Sequence, residues 1–199
     1  MRQPPSTPDP VGPGADDPST LADAFVNAFR HHPAGVAIIT SEVAGTPAAL
    51  TVSSLISVGV APPMVAFSLS DNSSSARLLR EAETVAIHCL RRGDMQLARL
   101  CATSGAQRFG ADVRWERLPT GEPIYPQVGL IFRAAVNGRL PVPGACVVTA
   151  ELLSVHGSGR EPHERDALVY ANRTWHGLAS IAGAGGAPLF LWPDDSATF

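Results

Sequence analysis

Three short clusters supply the side chains that could bind a ligand by donation. They are Thr51-Val52-Ser53-Ser54 at the head of a block ending in Pro62-Pro63, Asn72-Ser73-Ser74-Ser75 with Ser68 and Ser70 just upstream, and Arg108-Phe109-Gly110. The chain has no lysine, and all 15 basic residues are arginine. A clamp for phosphate or carboxylate must therefore be built from guanidinium, imidazole, hydroxyl or backbone N–H groups. The serine cluster precedes Ala76-Arg77-Leu78-Leu79-Arg80, so its hydroxyls would open a short helix, where free amides also favour an anion. Each cluster has a plainer reading as well: solvated serines on a strand, an N-cap on a surface loop, and an arginine bonded to a loop carbonyl. Taken alone, the block from Thr51 to Pro63 means strand, turn, strand.

The elements that must position these clusters are mostly short strands. Leu21, Phe25, Ala28 and Phe29 share one face of a helix expected over Leu21–Arg30, capped by Ser19 or Thr20 and ended by His32-Pro33. Gly35 to Thr40 reads as the first strand, and Gly45-Thr46-Pro47 as the turn into Ala48–Ser53. Alternation puts Thr51 and Ser53 on one face of that strand, Val52 and Ser54 on the other. Further strands are expected over Met64–Leu69, Thr84–Leu90, Leu130–Val136, Cys146–Val155, Ala167–Tyr170 and Arg173–Leu178. Asp94–Cys101 has helical periodicity, and Asn137–Gly144 reads as a Pro-Gly loop. Many close strands with few helices predict a mainly β chain, a barrel rather than a parallel α/β sheet.

With 199 residues, the chain suits one domain with tails. Residues 1–19 are rich in Pro, Gly and Asp and are expected to be disordered; 20–178 form the domain; 179–199 form a Gly/Ala/Pro-rich tail whose Leu189-Phe190-Leu191-Trp192 has the composition to dock on a partner subunit. A net charge of −3 and pI near 6.0 give no electrostatic reason for a nucleic-acid or anionic-membrane partner. Cys89, Cys101 and Cys146 lack a C-x-x-C spacing, which argues against a zinc site or disulfide framework; Cys89 and Cys146 read as small core residues. With no basic-then-apolar leader and no apolar run of about 20 residues, the expectation is a soluble cytoplasmic protein. No G-x-G-x-x-G links a strand to a helix, so a Rossmann mode of nucleotide binding is unsupported.

Taken in order, Gly35-Val36-Ala37-Ile38-Ile39-Thr40, the Thr51–Pro63 block, Asn72-Ser73-Ser74-Ser75 and Arg108-Phe109 with Trp115 resemble the flavin reductase-like family over about Phe25 to Leu178. The resemblance implies an FMN-binding split β-barrel of Greek-key type that binds FMN (or FAD), takes NADH or NADPH as co-substrate, works as a homodimer and supplies reduced flavin to a partner monooxygenase. It implies flavin contacts from Gly35, Thr51, Val52, Ser53, Ser54, Ser68, Ser70, Asn72, Ser74, Ser75, Arg108 and Phe109. Backbone amides of the extended segment would meet the ring edge, and hydroxyls and guanidinium the phosphate. No proton-transfer residue is nominated, because hydride transfer needs stacking and facing rather than an acid or base.

One stretch departs from the family. Where its reductases usually carry Gly-Asp-His, this chain has Gly144-Ala145-Cys146. Flavin binding is untouched by the change, whereas nicotinamide use is put in question. His156 or His163 could replace the lost imidazole, or be ordinary surface histidines. Two functions follow: an NAD(P)H-dependent flavin reductase, or a flavin-binding barrel that serves as another catalyst, carrier or subunit.

Overall fold

The structure is a computed structural model that describes residues 18–157 and 167–178. Nearly all of the tail expected over 1–19, the whole of 179–199 and His163 lie outside the described residues. Helix α1 spans Pro18–His31. It begins before the expected cap because Pro18 can take the first helical position, where its missing N–H costs nothing. The strands follow: β1 (Ala34–Gly35), β2 (Ala37–Val43), β3 (Thr46–Val52), β4 (Ile56–Val60) and β5 (Pro63–Ser70). After α2 (Ser74–Leu79) come β6 (Thr84–Cys89) and, beyond a 3-10 turn at Arg92–Asp94, α3 (Met95–Ala102). The rest is β7 (Glu116–Arg117), β8 (Pro123–Ile124), β9 (Ile131–Val142), β10 (Ala145–His156), β11 (Leu168–Ala171) and β12 (Thr174–Gly177).

Seven strands form one antiparallel sheet in the order β3-β2-β6-β9-β10-β5-β4. The consecutive strands β3 and β4 thus stand at opposite ends of it. Only three residues separate them, so the sheet must curl until its two ends approach. Ser54 lies in that crossing, and its hydroxyl accepts the Ser68 N–H from β5 at 2.9 Å. The result is a barrel split along the seam between β3 and β4. A smaller sheet, β1-β11-β12, flanks it.

Two apolar cores lie on either side of the sheet. Ala37, Ile39, Val52, Phe67, Leu69, Leu79 and Val148 fill the barrel interior. Ile38, Ala49, Ala98, Cys101, Tyr125 and Ile131 fill the layer beneath α3. Strand β2 contributes to both, which explains its unbroken apolar run: a strand covered on both faces has no need to alternate. Cys101 and Cys146 are buried and Cys89 is mostly so; burial lifts the Cys89 and Cys101 thiols to about 11, which suits inert packing groups.

The expected loop over Asn137–Gly144 is instead the second half of β9. Register slips where Thr149 faces Gly138 and Ala150 faces Val136, so Asn137 is the extra residue of a β-bulge. Thr149 Oγ1 donates to Asn137 Oδ1 at 2.8 Å, and a Cβ on residue 138 would collide with that hydroxyl. Only Pro143-Gly144 turns, with Gly144 at φ +82°. Turn-forming residues here bend a long strand rather than end it.

His88 is fully buried between the layers. Its Nδ1 lies 3.1 Å from the Ile38 carbonyl, and its Nε2 accepts the Tyr125 N–H at 3.1 Å. This pairing requires a neutral ring protonated at Nδ1. Burial lowers the His88 pKa from 6.5 to about 4 against the opposing pull of the Ile38 carbonyl. The unfolded chain therefore takes up a proton at a higher pH than the native one. The associated stability is complete above about pH 6.5, falls as pH drops toward 4, and changes no further below that. We expect a loss on the order of 3 kcal/mol over this window in urea titrations, and a flatter pH profile for His88→Gln, itself less stable at pH 7.

Candidate functional site

Among the described residues, strand β3 ends the sheet and no strand neighbours its outer edge. Helix α2 packs along one side of it and α3 along the other. Close approach is possible because the packing residues are small: Ala48 meets Ala76 in the interior core, and Ala49 joins Ala98 in the outer one. Thr51 Oγ1 donates to the Ala98 carbonyl at 2.8 Å and pins α3 to the strand. What remains between the helices is a groove floored by an extended backbone whose outward N–H and C=O groups have no ladder partner.

At one end of the groove is a cavity of about 330 Å3, lined by Ala48 and Ala49 of β3, Ser74 and Ser75 of α2, and Arg108 and Phe109. Ser73, not its neighbours, caps α2: its Oγ accepts the Ala76 N–H at 3.3 Å. Capping by Ser73 leaves the Ser74 and Ser75 hydroxyls to the cavity. Arg108 donates from Nε to the Cys101 carbonyl at 3.3 Å and from Nη2 to the Thr103 carbonyl at 2.7 Å. These bonds realise the plainer reading, a loop-bracing arginine, and they also fix the guanidinium at the cavity wall.

Past the other end of β3 lies a cavity of about 740 Å3. It is lined by Gly35, Ser53, Ser54, Leu55 and Ile56 together with Phe29, Arg30, His32, Tyr170 and Arg173. Ala49 and Ser53 are four residues apart along the chain, roughly 13 Å at the rise of an extended strand. A ligand with a phosphate at one end and a flat ring at the other can lie along such a strand and reach both cavities.

The predicted contacts thus separate into groups. Ser74, Ser75, Arg108 and Phe109 meet in the smaller cavity, and Gly35, Ser53 and Ser54 in the larger. Thr51 and Val52 lie between the two, with side chains spent on α3 and on the barrel core. Ser68, Ser70 and Asn72 line neither cavity: the Ser68 N–H is bonded to Ser54, and Ser70 Oγ accepts the Asn72 N–H at 3.3 Å in an exposed turn.

Tyr125 carries no sequence signal, yet it holds the Arg108–Phe109 corner in place. It is fully buried, its hydroxyl donates to the Arg108 carbonyl at 3.0 Å, and its ring stacks on Phe109 with centroids 5.9 Å apart. Burial raises its pKa far above the usual phenol value, so the hydroxyl remains a donor. Cys101 Sγ lies 3.4 Å from that oxygen, and Trp115 meets Phe109 edge-on at 5.1 Å.

The flavin reductase like domain model matches residues 29–179. An NADH:FMN oxidoreductase of Rhodococcus qingshengii is 34% identical over 143 residues, 72% of this chain and 74% of that protein. The FMN reductase (NADH) RutF of Methylorubrum extorquens is 30% identical over 169 residues, 84% of this chain and 80% of the relative. The crystal structure of a flavin reductase domain protein from Arthrobacter sp. FB24 superposes with a TM-score of 0.74 at 28% identity, covering 80% of this chain and 97% of that one. The chain belongs to the flavin reductase-like family.

The position that departs from the family is built into the barrel. Gly144 turns the hairpin, Ala145 pairs with Ser70, and Cys146 is buried in the interior core. His156 lies within 2.9 Å of Ser154 Oγ at the end of β10 and lines neither cavity. Replacing Tyr125 by Phe strips the Arg108 carbonyl of its buried donor. A loss of about 1–3 kcal/mol is expected, read as a lower urea midpoint at unchanged m-value.

Proposed function

We propose that this chain is an NAD(P)H:FMN oxidoreductase whose flavin lies along the open edge of β3, phosphate in the smaller cavity and ring in the larger. The observation that carries the reading is the meeting of Ser74, Ser75 and Arg108 at one end of β3 and of Gly35, Ser53 and Ser54 at the other. The donor set suits a flavin mononucleotide: hydroxyls and a guanidinium for the dianion, extended backbone for the ring edge.

Bound FMN would supply the ring that takes up a hydride from the nicotinamide, with the balancing proton coming from solvent. The chain's own residues bind and align. Arg108, braced by two carbonyls and by Tyr125 beneath it, meets the phosphate without having to be ordered first. Gly35 and Ser53 add little side-chain bulk to the larger cavity, which leaves room for a nicotinamide to stack on the ring at about 3–3.5 Å. No acid or base is required, so the lack of an Asp-His pair at Ala145-Cys146 is compatible with the chemistry.

The reductase unit corresponds to residues 20–178, and we place it in the cytoplasm as a homodimer serving a flavin-dependent monooxygenase. Among the described residues no helix is long and apolar enough to cross a membrane. The dimer is supported by apolar side chains left in solvent: Ile56, Val58 and Val60 on the edge strand β4, and Leu21, Phe25 and Phe29 on α1.

Anaerobic stopped-flow mixing of the FMN-loaded protein with NADH and with NADPH should bleach the flavin with at least one donor. Retention of the oxidised spectrum with both would reject the reductase reading. The flavin's placement has a separate test. Arg108→Ala should weaken FMN binding by roughly ten- to a hundredfold while changing riboflavin affinity little, because riboflavin lacks the phosphate. Equal losses for both flavins would remove the phosphate from this cavity.

A further inference from the structure

The larger cavity, at about 740 Å3, has more than twice the volume of the smaller one and lies in the upper part of the roughly 300–1,000 Å3 range of small-molecule sites. Its lining combines two aromatic side chains, Phe29 and Tyr170, with two arginines, Arg30 and Arg173. Aromatic faces beside guanidinium groups are the chemistry of a nucleotide: a flat base to stack and an anion to pair.

Arg173 occupies a costly position. Strands β11 and β12 are joined by the two residues Asn172 and Arg173, at φ +48° and +58°. Such a tight turn takes Asn readily at its first position but favours Gly at its second, where any side chain is strained. The Asn172 N–H donates to the carbonyl of Arg30 at 2.5 Å, so the hairpin is fastened to the end of α1 and both arginines stand on one corner. Arg30 has a second reason to be there, since a cation in the last turn complements the helix dipole. Arg173 has none. Among the described residues, neither Arg30 nor Arg173 pairs with a carboxylate, a condition they share with several other arginines, so their place beside the cavity is what distinguishes them.

We propose that Arg30 and Arg173 are the anion-binding end of the larger cavity and hold the pyrophosphate of the nicotinamide dinucleotide. The inference rests on the reductase reading. It places the co-substrate's binding energy at the α1–hairpin corner instead of at residues 145 and 146.

The informative variant is Arg173→Gly, because glycine relieves the left-handed strain and should leave the melting temperature unchanged or slightly higher. The measurement compares second-order rate constants for FMN reduction by NADH and by reduced nicotinamide riboside, which keeps the ring and lacks both phosphates. A parallel titration follows NAD+ binding to the FMN-loaded protein. In Arg173→Gly, and more so in the double variant Arg30→Gln/Arg173→Gly, the preference for NADH over the riboside should fall by roughly tenfold or more, and the Kd for NAD+ should rise to match. The Kd for FMN should change less than that for NAD+, because neither arginine lines the smaller cavity that takes the flavin phosphate, although both line the cavity of its ring. Unchanged NADH preference and NAD+ affinity in both variants would overturn the proposal, as would a wild type that does not prefer NADH to the riboside. A wild type that reduces FMN with neither donor defeats the reductase reading itself.

Discussion

A sheet that does not close on itself must stop somewhere, and the site follows from where this one stops. Strand β3 is terminal, with its outer N–H and C=O row unpaired by any strand of the described sheet. Free edges invite pairing with other chains unless covered. Here α2 and α3 shield the edge from both sides without sealing it, because Ala48 and Ala49 let them approach but supply no bulk to fill the gap. The groove is the space left over. Its depth depends on two alanines, and its floor on β3 being the last strand of the sheet among the described residues. The serines and the arginine that line it are carried on helices and loops whose position the strand dictates.

The walls are rigid for a reason that lies deeper. The path from the core to the cavity rim is a chain of satisfied polar groups: the Ile38 carbonyl to His88, His88 to the Tyr125 N–H, the Tyr125 hydroxyl to the Arg108 carbonyl, and the Arg108 guanidinium to the carbonyls of Cys101 and Thr103. Each buried donor or acceptor on this path would cost about 1–3 kcal/mol if left unpaired. The loop after α3 has almost no regular structure, so backbone pairing cannot hold it. Side chains from the core do so instead, which is how an irregular segment presents a fixed guanidinium.

Much of this was legible in the sequence. Strand positions, the two short helices α2 and α3, and the convergence of Ser74, Ser75, Arg108 and Phe109 all follow from local pattern together with the family resemblance. The failures have physical causes. Asn137-Gly138 and Pro143-Gly144 have the same turn-forming composition, yet the first is a bulge and the second a turn; only the cross-strand partner Thr149 distinguishes them. The side-chain bonds of Thr51 and Ser54 go to Ala98 and Ser68, 47 and 14 residues away, partners that no local pattern can reveal. Tyr125 sits between Ile124 and Pro126 with nothing in its neighbours to mark it; its role comes from contacts made across the fold.

The presence of Ala145-Cys146, where the family resemblance leads one to expect Asp-His, is best understood from what hydride transfer asks of a protein. The reacting atoms must be held at contact distance and correctly faced, and the energy for this can come from parts of the substrate remote from the reacting carbon. A dinucleotide carries two phosphates and a second base for that purpose. A side chain next to the nicotinamide is therefore one way among several to hold it, and its loss need not reach the chemical step. Cys146, turned into the apolar interior, adds to the packing of the barrel at a point where a histidine would have had to be kept hydrated or hydrogen-bonded. The hairpin at Asn172-Arg173 shows the opposite economy: it retains a strained backbone at a cavity wall where glycine would remove the strain and the charge together.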